Sequence, residues 1–136
     1  MSDATQESID VLSRALDQTA EVLAAVPADR LLGATPCTEW SVARLVAHVV
    51  ADPRNFLTMA GGGQPDWSAK PPLPDDWTAE FRSGADDLLR MWRESGESAS
   101  AQAVDWQTAE FAVHTWDLVR ATGQSIDLDP RVAQRG

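Results

Sequence analysis

Near the C-terminal end of the chain, residues 109–118 read Ala109-Glu110-Phe111-Ala112-Val113-His114-Thr115-Trp116-Asp117-Leu118. At about 100° per residue, this stretch predicts an α-helix on which one narrow polar seam runs lengthwise, made of Gln107, Glu110, His114 and Asp117. Large apolar residues border the seam, Trp106 and Val113 on one margin and Phe111 and Leu118 on the other. Because a solvated face rarely has such margins, the seam is predicted to point inward, where an acid and a histidine need partners.

Three further segments carry apolar residues at helical spacing, and together with the seam helix they predict four helices. Short polar or glycine-containing stretches separate them, as is typical of neighbouring helices in a bundle. The expected bounds are about residue 4 to Val26, a start at a Ser41 N-cap, Asp75 or Asp76 to Gly96, and Ser100 to Thr122 with Gly123 as C-terminal cap.

The second helix has the clearest start, because Ser41 is a good N-cap and Trp40 is placed to pack on Leu45 as a hydrophobic staple. Pro53 leaves the course of this helix open. Either the helix kinks at Pro53, or a new helix begins there with Asp52 as N-cap and Pro53 at its first position.

The remaining segments are predicted to lack regular structure. Residues 61–74 are rich in glycine and proline and form a loop, in which Trp67 is expected to plug the end of the bundle or to belong to a lid. Residues 126–136 are expected to be an extended, partly ordered tail. Since no strand pattern or internal repeat is present, the sequence predicts an all-α, antiparallel four-helix bundle. It is one domain over residues 1–136, with the tail from about residue 124.

The composition indicates one soluble domain and excludes several classes of function. The chain has 136 residues, of which 43% are hydrophobic and 24% are charged. Its net charge of −10, with Lys70 as the sole lysine, argues against nucleic-acid binding. No apolar stretch reaches the roughly 20 residues that span a bilayer, and no signal peptide is recognisable. The single cysteine, Cys37, fits a reducing cytoplasm and is expected to be structural.

The two histidines of the chain indicate a possible metal site. His48, Glu110 and His114 together would make a two-histidine, one-carboxylate ligand set with open positions, as in catalytic zinc and non-haem iron sites. The alternative is that each histidine is a core residue with a carboxylate one turn away, His114 with Glu110 and His48 with Asp52. Spacing alone leaves both interpretations open.

Three blocks of the sequence resemble a known family. They read Thr35-Pro36-Cys37-Thr38-Glu39-Trp40-Ser41-Val42, then Leu45-Val46-Ala47-His48-Val49-Val50, then Glu110-Phe111-Ala112-Val113-His114-Thr115-Trp116-Asp117-Leu118-Val119-Arg120-Ala121-Thr122-Gly123. Over roughly residues 5–128 the chain resembles the N-terminal domain of mycothiol-dependent maleylpyruvate isomerases, a family of DinB-like metal-binding bundles. The resemblance implies that His48, Glu110 and His114 bind a divalent metal, zinc in the first place, with nickel or iron as alternatives.

The resemblance further implies an enzyme that uses a low-molecular-weight thiol such as mycothiol. The metal would activate this thiol for transfer to a small electrophile, or for isomerisation of it, because a metal-bound thiol loses its proton. The alternatives are a hydrolase or other thiol-independent enzyme on the same bundle, and a non-catalytic bundle with a structural polar seam. The sequence assigns no catalytic residue, and it does not decide between a monomer and a homodimer.

Three more polar residues are expected to support the implied ligands. Asp117 and Gln107 share the seam with His114, and Asp52 lies one turn beyond His48. Metal-bound histidines typically donate their free N–H to such acceptors. For Asp117, the alternative is that it serves the helix end or a neighbouring arginine. The chain departs from the family pattern in its short connection at residues 94–99 and its Asp52-Pro53 pair, so the metal site carries over better than any particular reaction.

Overall fold

Four long helices and one short helix make up most of the chain that the structure describes. This computed structural model describes residues 2–31, 41–66, 71–96, 99–124 and 128–135. No β-strand occurs in these ranges, which confirms the predicted all-α class, and no helix there is long and apolar enough to cross a bilayer. The helices are α1 (Asp3–Ala24), α2 (Val42–Ala60), α3 (Trp77–Ser95), α4 (Ala101–Thr122) and α5 (Pro130–Arg135), with a 3-10 turn at Ala28–Arg30.

The four long helices form a bundle in which α1 and α2 each pack on both α3 and α4. Three buried phenylalanines, Phe56 of α2, Phe81 of α3 and Phe111 of α4, meet in its core. Their rings pack edge to face, with centroids 5.5 Å apart for Phe56 and Phe111 and 5.9 Å for Phe81 and Phe111. This packing fixes α2 beside α4, which is the adjacency that the predicted site requires.

Capping residues lie at the helix boundaries that the sequence predicts. Ser41, Asp76 and Ser100 each accept a hydrogen bond from the backbone N–H three residues on, at 3.2, 3.0 and 3.3 Å. Gly123 follows α4 with φ of 67°, a left-handed conformation that favours glycine. Capping residues that can be recognised in the sequence therefore set these boundaries of the long helices.

The structure resolves the question of Pro53, because α2 is a single helix that contains this proline. Asp52 is consequently a buried residue within α2 and not an N-cap. Gly84 of α3 makes room for the proline ring, since a Cβ at Gly84 would lie 3.1 Å from the Pro53 Cβ. His48 and Asp52 thus lie one turn apart on one helix, on the same face.

The prediction of an extended C-terminal tail was wrong, because Pro130–Arg135 is helical. Asp129 precedes the helix, accepts the backbone N–H of Arg131 at 2.9 Å and binds the Arg14 guanidinium at 2.7 Å. Val132 is buried against α1. Asp129 and Pro130 are an N-cap residue followed by proline at the first helical position, a pattern that favours a helix start. Contacts with α1 hold this short helix in place.

Candidate metal site

The packing of α2 against α4 brings the two histidines of the chain together. The ring centroids of His48 and His114 are 5.0 Å apart, with the ring planes at 71°. Both side chains are largely buried, at 22% and 18% exposed. The predicted convergence of these histidines is therefore confirmed, and the distance is compatible with a shared metal whose ligand atoms lie about 2 Å from it.

Asp52 is the third member of this cluster. Its Oδ1 lies 3.3 Å from Nε2 of His48, and one ligand atom each from His48, Asp52 and His114 all lie within 4.8 Å of one another. Asp52 is 1% exposed, and its Oδ2 has no hydrogen-bond partner in the part of the chain that is described. A buried carboxylate oxygen is costly unless a proton or a cation satisfies it. Two imidazoles and such a carboxylate fit a divalent metal in donor chemistry.

Glu110 approaches the same cluster from α4, at its edge. Its Oε2 lies 3.8 Å from Nε2 of His114, and its side chain is 42% exposed. The carboxylate that the resemblance implies as a ligand is thus the more exposed one, whereas Asp52 lies inside the cluster. Both pairings of the core-histidine alternative, His114 with Glu110 and His48 with Asp52, are also present, so the geometry is compatible with either interpretation.

Burial keeps the three residues of the cluster uncharged at neutral pH. Desolvation, followed by repulsion from His114 when that ring is protonated and from Arg44, lowers the pKa of His48 to about 4. Desolvation also lowers the pKa of His114, against the opposing effect of nearby carboxylates. Desolvation and the negative charge of Glu110 raise the pKa of Asp52 to about 8. Neutral imidazoles are the form that binds a metal, and a bound cation would favour loss of the Asp52 proton.

These pKa shifts determine how the stability of the metal-free protein should change with pH. We expect its free energy of unfolding to fall as pH rises from 6.5 to 8. In the unfolded chain Asp52 ionises at 3.8, whereas in the folded chain it must ionise against burial, so stability is lost as pH rises toward 8. The histidines act in the opposite direction only below 6.5, where acidification costs stability because their folded pKa values are lowered.

Urea denaturation of chelator-treated protein at several pH values measures this slope. For a single proton it is at most about 1.4 kcal/mol per pH unit. The matched control is Asp52→Asn, which removes the titrating group at nearly constant shape and should flatten the profile between pH 6.5 and 8. A wild-type profile as flat as that of the variant would show that Asp52 is not buried as described.

A cavity of about 420 Å³ opens beside the cluster. Trp106 and Met59 line it and are 47% and 41% exposed, and Trp106 packs edge to face on Phe56 with centroids 5.6 Å apart. One wall is therefore aromatic and apolar, and the other carries acid and imidazole groups. Such a pocket can hold a small molecule that has both an apolar and a reactive part. The lining residues are His48, Asp52, Phe56, Met59, Trp106 and Glu110.

The polar seam of α4 points inward in part: Gln107 is buried and the His114 side chain is 18% exposed, whereas the Glu110 side chain is 42% exposed. Phe111 and Leu118 on one margin are fully buried, but Trp106 and Val113 on the other are 47% and 58% exposed. The reason is that neighbouring helices cover only one side of α4, and the second margin faces cavities and solvent. A position at the rim leaves the carboxylate of Glu110 accessible to small molecules.

The residues expected to support the ligands have different surroundings. Gln107 is buried, and its Oε1 accepts the indole N–H of Trp92 at 3.0 Å, so it joins α4 to α3. Burial lowers the pKa of His114, and the negative charges of Glu110 and, after it, Asp117 oppose this shift, so Asp117 acts on His114 through its charge. Asp52 belongs to the cluster itself. A supporting role toward a metal remains a prediction for Gln107 and Asp117.

Three residues singled out in the sequence, Cys37, Trp40 and Trp67, lie outside the described residues. The structural role of Cys37, the staple at Trp40 and the plug at Trp67 therefore stay predictions.

Comparisons with known proteins bear on the same part of the chain. A family model described as Mycothiol maleylpyruvate isomerase N-terminal domain matches residues 12–119. The matched range includes His48, Asp52, Glu110 and His114. Two Mycobacterium tuberculosis proteins, Uncharacterized protein MT0763 of strain CDC 1551 / Oshkosh and Uncharacterized protein Rv0738 of strain ATCC 25618 / H37Rv, are each 34% identical over 137 residues. Each match covers 88% of this chain and 70% of the relative. No solved structure matches the chain significantly. The resemblance seen in the sequence blocks is confirmed.

Proposed function

The chain belongs to the mycothiol maleylpyruvate isomerase N-terminal domain family, and from this premise we propose that it is a metal-dependent enzyme that uses a low-molecular-weight thiol. The thiol, mycothiol or a close analogue, would be transferred to a small electrophile or would assist its isomerisation. The metal would be a divalent ion, zinc before nickel or iron. The observation that carries the proposal is the cluster of His48, Asp52 and His114 beside an open cavity.

The side chains in and around the cluster would have different roles in such a reaction. His48 and His114 are the two imidazoles that would hold the ion, with a carboxylate from Asp52 or Glu110. A bound divalent ion lowers the pKa of a coordinated thiol, which supplies a nucleophile at neutral pH. The imidazoles are neutral without any proton having to be removed, because burial lowers the pKa of each.

The other wall of the cavity would select and orient the electrophile. Trp106, Met59 and Phe56 offer an apolar surface next to the polar wall. An apolar part of the electrophile would pack there and hold its reactive carbon toward the imidazoles and carboxylates. Nucleic acid is not among the proposed partners, because the chain carries a net charge of −10. The proposed setting is the cytoplasm, with the protein acting as a monomer or homodimer.

Metal content and thiol dependence test the proposal together. We expect protein purified without added metal to retain a divalent ion by elemental analysis, and to consume an electrophile only when mycothiol is present. Chelator-treated protein is the control, and added zinc should restore turnover. Metal retention with turnover that needs no thiol would favour the hydrolase alternative. Absence of both metal and turnover would favour the non-catalytic bundle, in which the His48–Asp52 and Glu110–His114 pairs are structural.

A further inference from the structure

We propose that the bundle has a second binding site, a cavity between α1, α4 and α5 that takes a mainly apolar organic molecule with one ammonium group. The cavity measures about 380 Å³, within the range of pockets that hold small molecules. Among the described residues, it shares no lining residue with the cavity beside the two histidines. This inference goes beyond the proposed function, because the site needs neither a metal nor a thiol.

Small side chains of α4 leave the space for this cavity. Ala109 and Ala112 lie three residues apart on one face of the helix and line the cavity together with Val132 of α5. Ala112 and Val132 also pack with Val11 and Ala15 of α1, in a small apolar cluster that is separate from the main core. The buried part of the wall therefore comes from three helices and is apolar.

Polar contacts hold α5 against α1 and keep the cavity formed. The Arg14 Nε–H donates to Asp129 Oδ2 at 2.7 Å, and the backbone N–H of Asp129 donates to Gln18 Oε1 at 2.6 Å. Gln18 and Asp129 both line the cavity. Because these contacts exist without a ligand, a ligand does not have to order α5, and less of its binding free energy is lost.

Two large apolar side chains are exposed at the outer edge of the cavity. Val113 is 58% exposed and Trp116 is 45% exposed, and both line the cavity. A ligand that covers them removes apolar surface from water and packs on the indole ring, which favours a mainly apolar body. A second copy of the chain is a poorer occupant, because it would bring the same acidic groups and a net charge of −10 against this surface.

The charges around the cavity favour a cation over an anion. Asp117 and Asp129 line it, and no arginine or lysine does so among the described residues. Asp129 is paired with Arg14, whereas Asp117 is in no ion pair in the described part of the chain. Arg120 lies over the ring of Trp116, 4.7 Å from its centroid. An ammonium group on the ligand would therefore pair with Asp117.

Titration calorimetry of the chelator-treated full chain tests the site with three probes that share one apolar body, phenylbutylamine, phenylbutanol and phenylbutanoate. We expect the amine to bind about 10-fold more tightly than the alcohol, and the anion to bind more weakly than both. Asp117→Asn should reduce the affinity for the amine to that for the alcohol and leave the alcohol unaffected. Ala109→Leu, which fills the cavity, should abolish binding of both. The matched control is Glu21→Gln, an exposed carboxylate on α1, which should change neither affinity.

Several outcomes would overturn the proposal. No binding of the amine at millimolar concentration would remove the site. Equal affinities for amine and alcohol, or an amine affinity that Asp117→Asn leaves unchanged, would remove the cationic ligand class. A wild-type dimer in sedimentation that Ala109→Leu dissociates would assign the surface to an interface between copies. Should Ala109→Leu not fold, Trp116→Ala at its exposed position decides, since an amine affinity equal to that of wild type would place the ligand elsewhere.

Discussion

Replacing His114 with alanine is expected to abolish zinc binding while leaving the metal-free protein nearly as stable as wild type. His114 is one of two imidazoles in the cluster, and without it the ion would keep only His48 and a carboxylate, too few ligands for a stable zinc site. The His114 side chain lies at the rim of the core, 18% exposed, so its removal should cost the metal-free fold only about 1 kcal/mol.

In the presence of zinc, His114→Ala is expected to be less stable than wild type, and this difference is a linkage effect. Zinc at 100 times its Kd adds about 2.7 kcal/mol to the unfolding free energy of a protein that binds it only when folded. We expect this increment in wild type and none in His114→Ala. Urea denaturation of each protein with chelator and with added zinc measures it. Gln102→Ala, at an exposed position of the same helix, is the control and should keep the increment.

The opposite pattern would identify His114 as a structural residue. In that case chelator-treated wild type would be more stable than His114→Ala by several kcal/mol, and neither protein would hold metal. The polar-network interpretation, in which His114 serves Glu110 and His48 serves Asp52, would then be the better account of this region.

The long helices were predictable because their ends and their apolar faces depend on neighbours in sequence. Ser41 and Ser100 cap helices as serine does elsewhere, and Gly123 ends α4 because its positive φ suits glycine. The short helix α5 depends on distant residues. Asp129 pairs with Arg14, 115 positions earlier in the chain, and Val132 is buried against α1. Local pattern could mark a cap at Asp129, but only the fold supplies the contacts that make six residues helical.

The site was predictable to the level of its helix faces and no further. Spacing places Glu110 with His114 and His48 with Asp52, because residues four apart share a face. In sequence these two pairs are equivalent. Their difference lies in burial, 2% for the side chain of Asp52 against 42% for that of Glu110. Burial depends on how α2 and α4 are rotated in the bundle, which is set by packing around the phenylalanine core and not by either helix alone.

Replacing Phe111 with alanine is expected to lower the unfolding free energy by about 3–5 kcal/mol, through lost burial and the cavity that remains. Phe111 is fully buried and packs edge to face against Phe56 and Phe81, so it joins α2, α3 and α4. Because a domain of this size typically has about 5–15 kcal/mol of stability, the variant keeps only part of it. The mechanism is packing, so the loss should be the same with chelator present.

Urea denaturation of the metal-free proteins tests this expectation with two matched variants. Phe111→Leu keeps most of the buried volume and should lose clearly less stability than Phe111→Ala. Val113→Ala, on the exposed margin of the same helix at 58% exposure, should stay within about 0.5 kcal/mol of wild type. Under conditions where Phe111→Ala is folded, it should still bind zinc, unlike His114→Ala, because Phe111 lies on the core margin of α4 and offers no ligand atom. A cost for Phe111→Ala no larger than that for Val113→Ala would mean that α4 is rotated in the bundle, and the cluster built on its seam would then be misplaced as well.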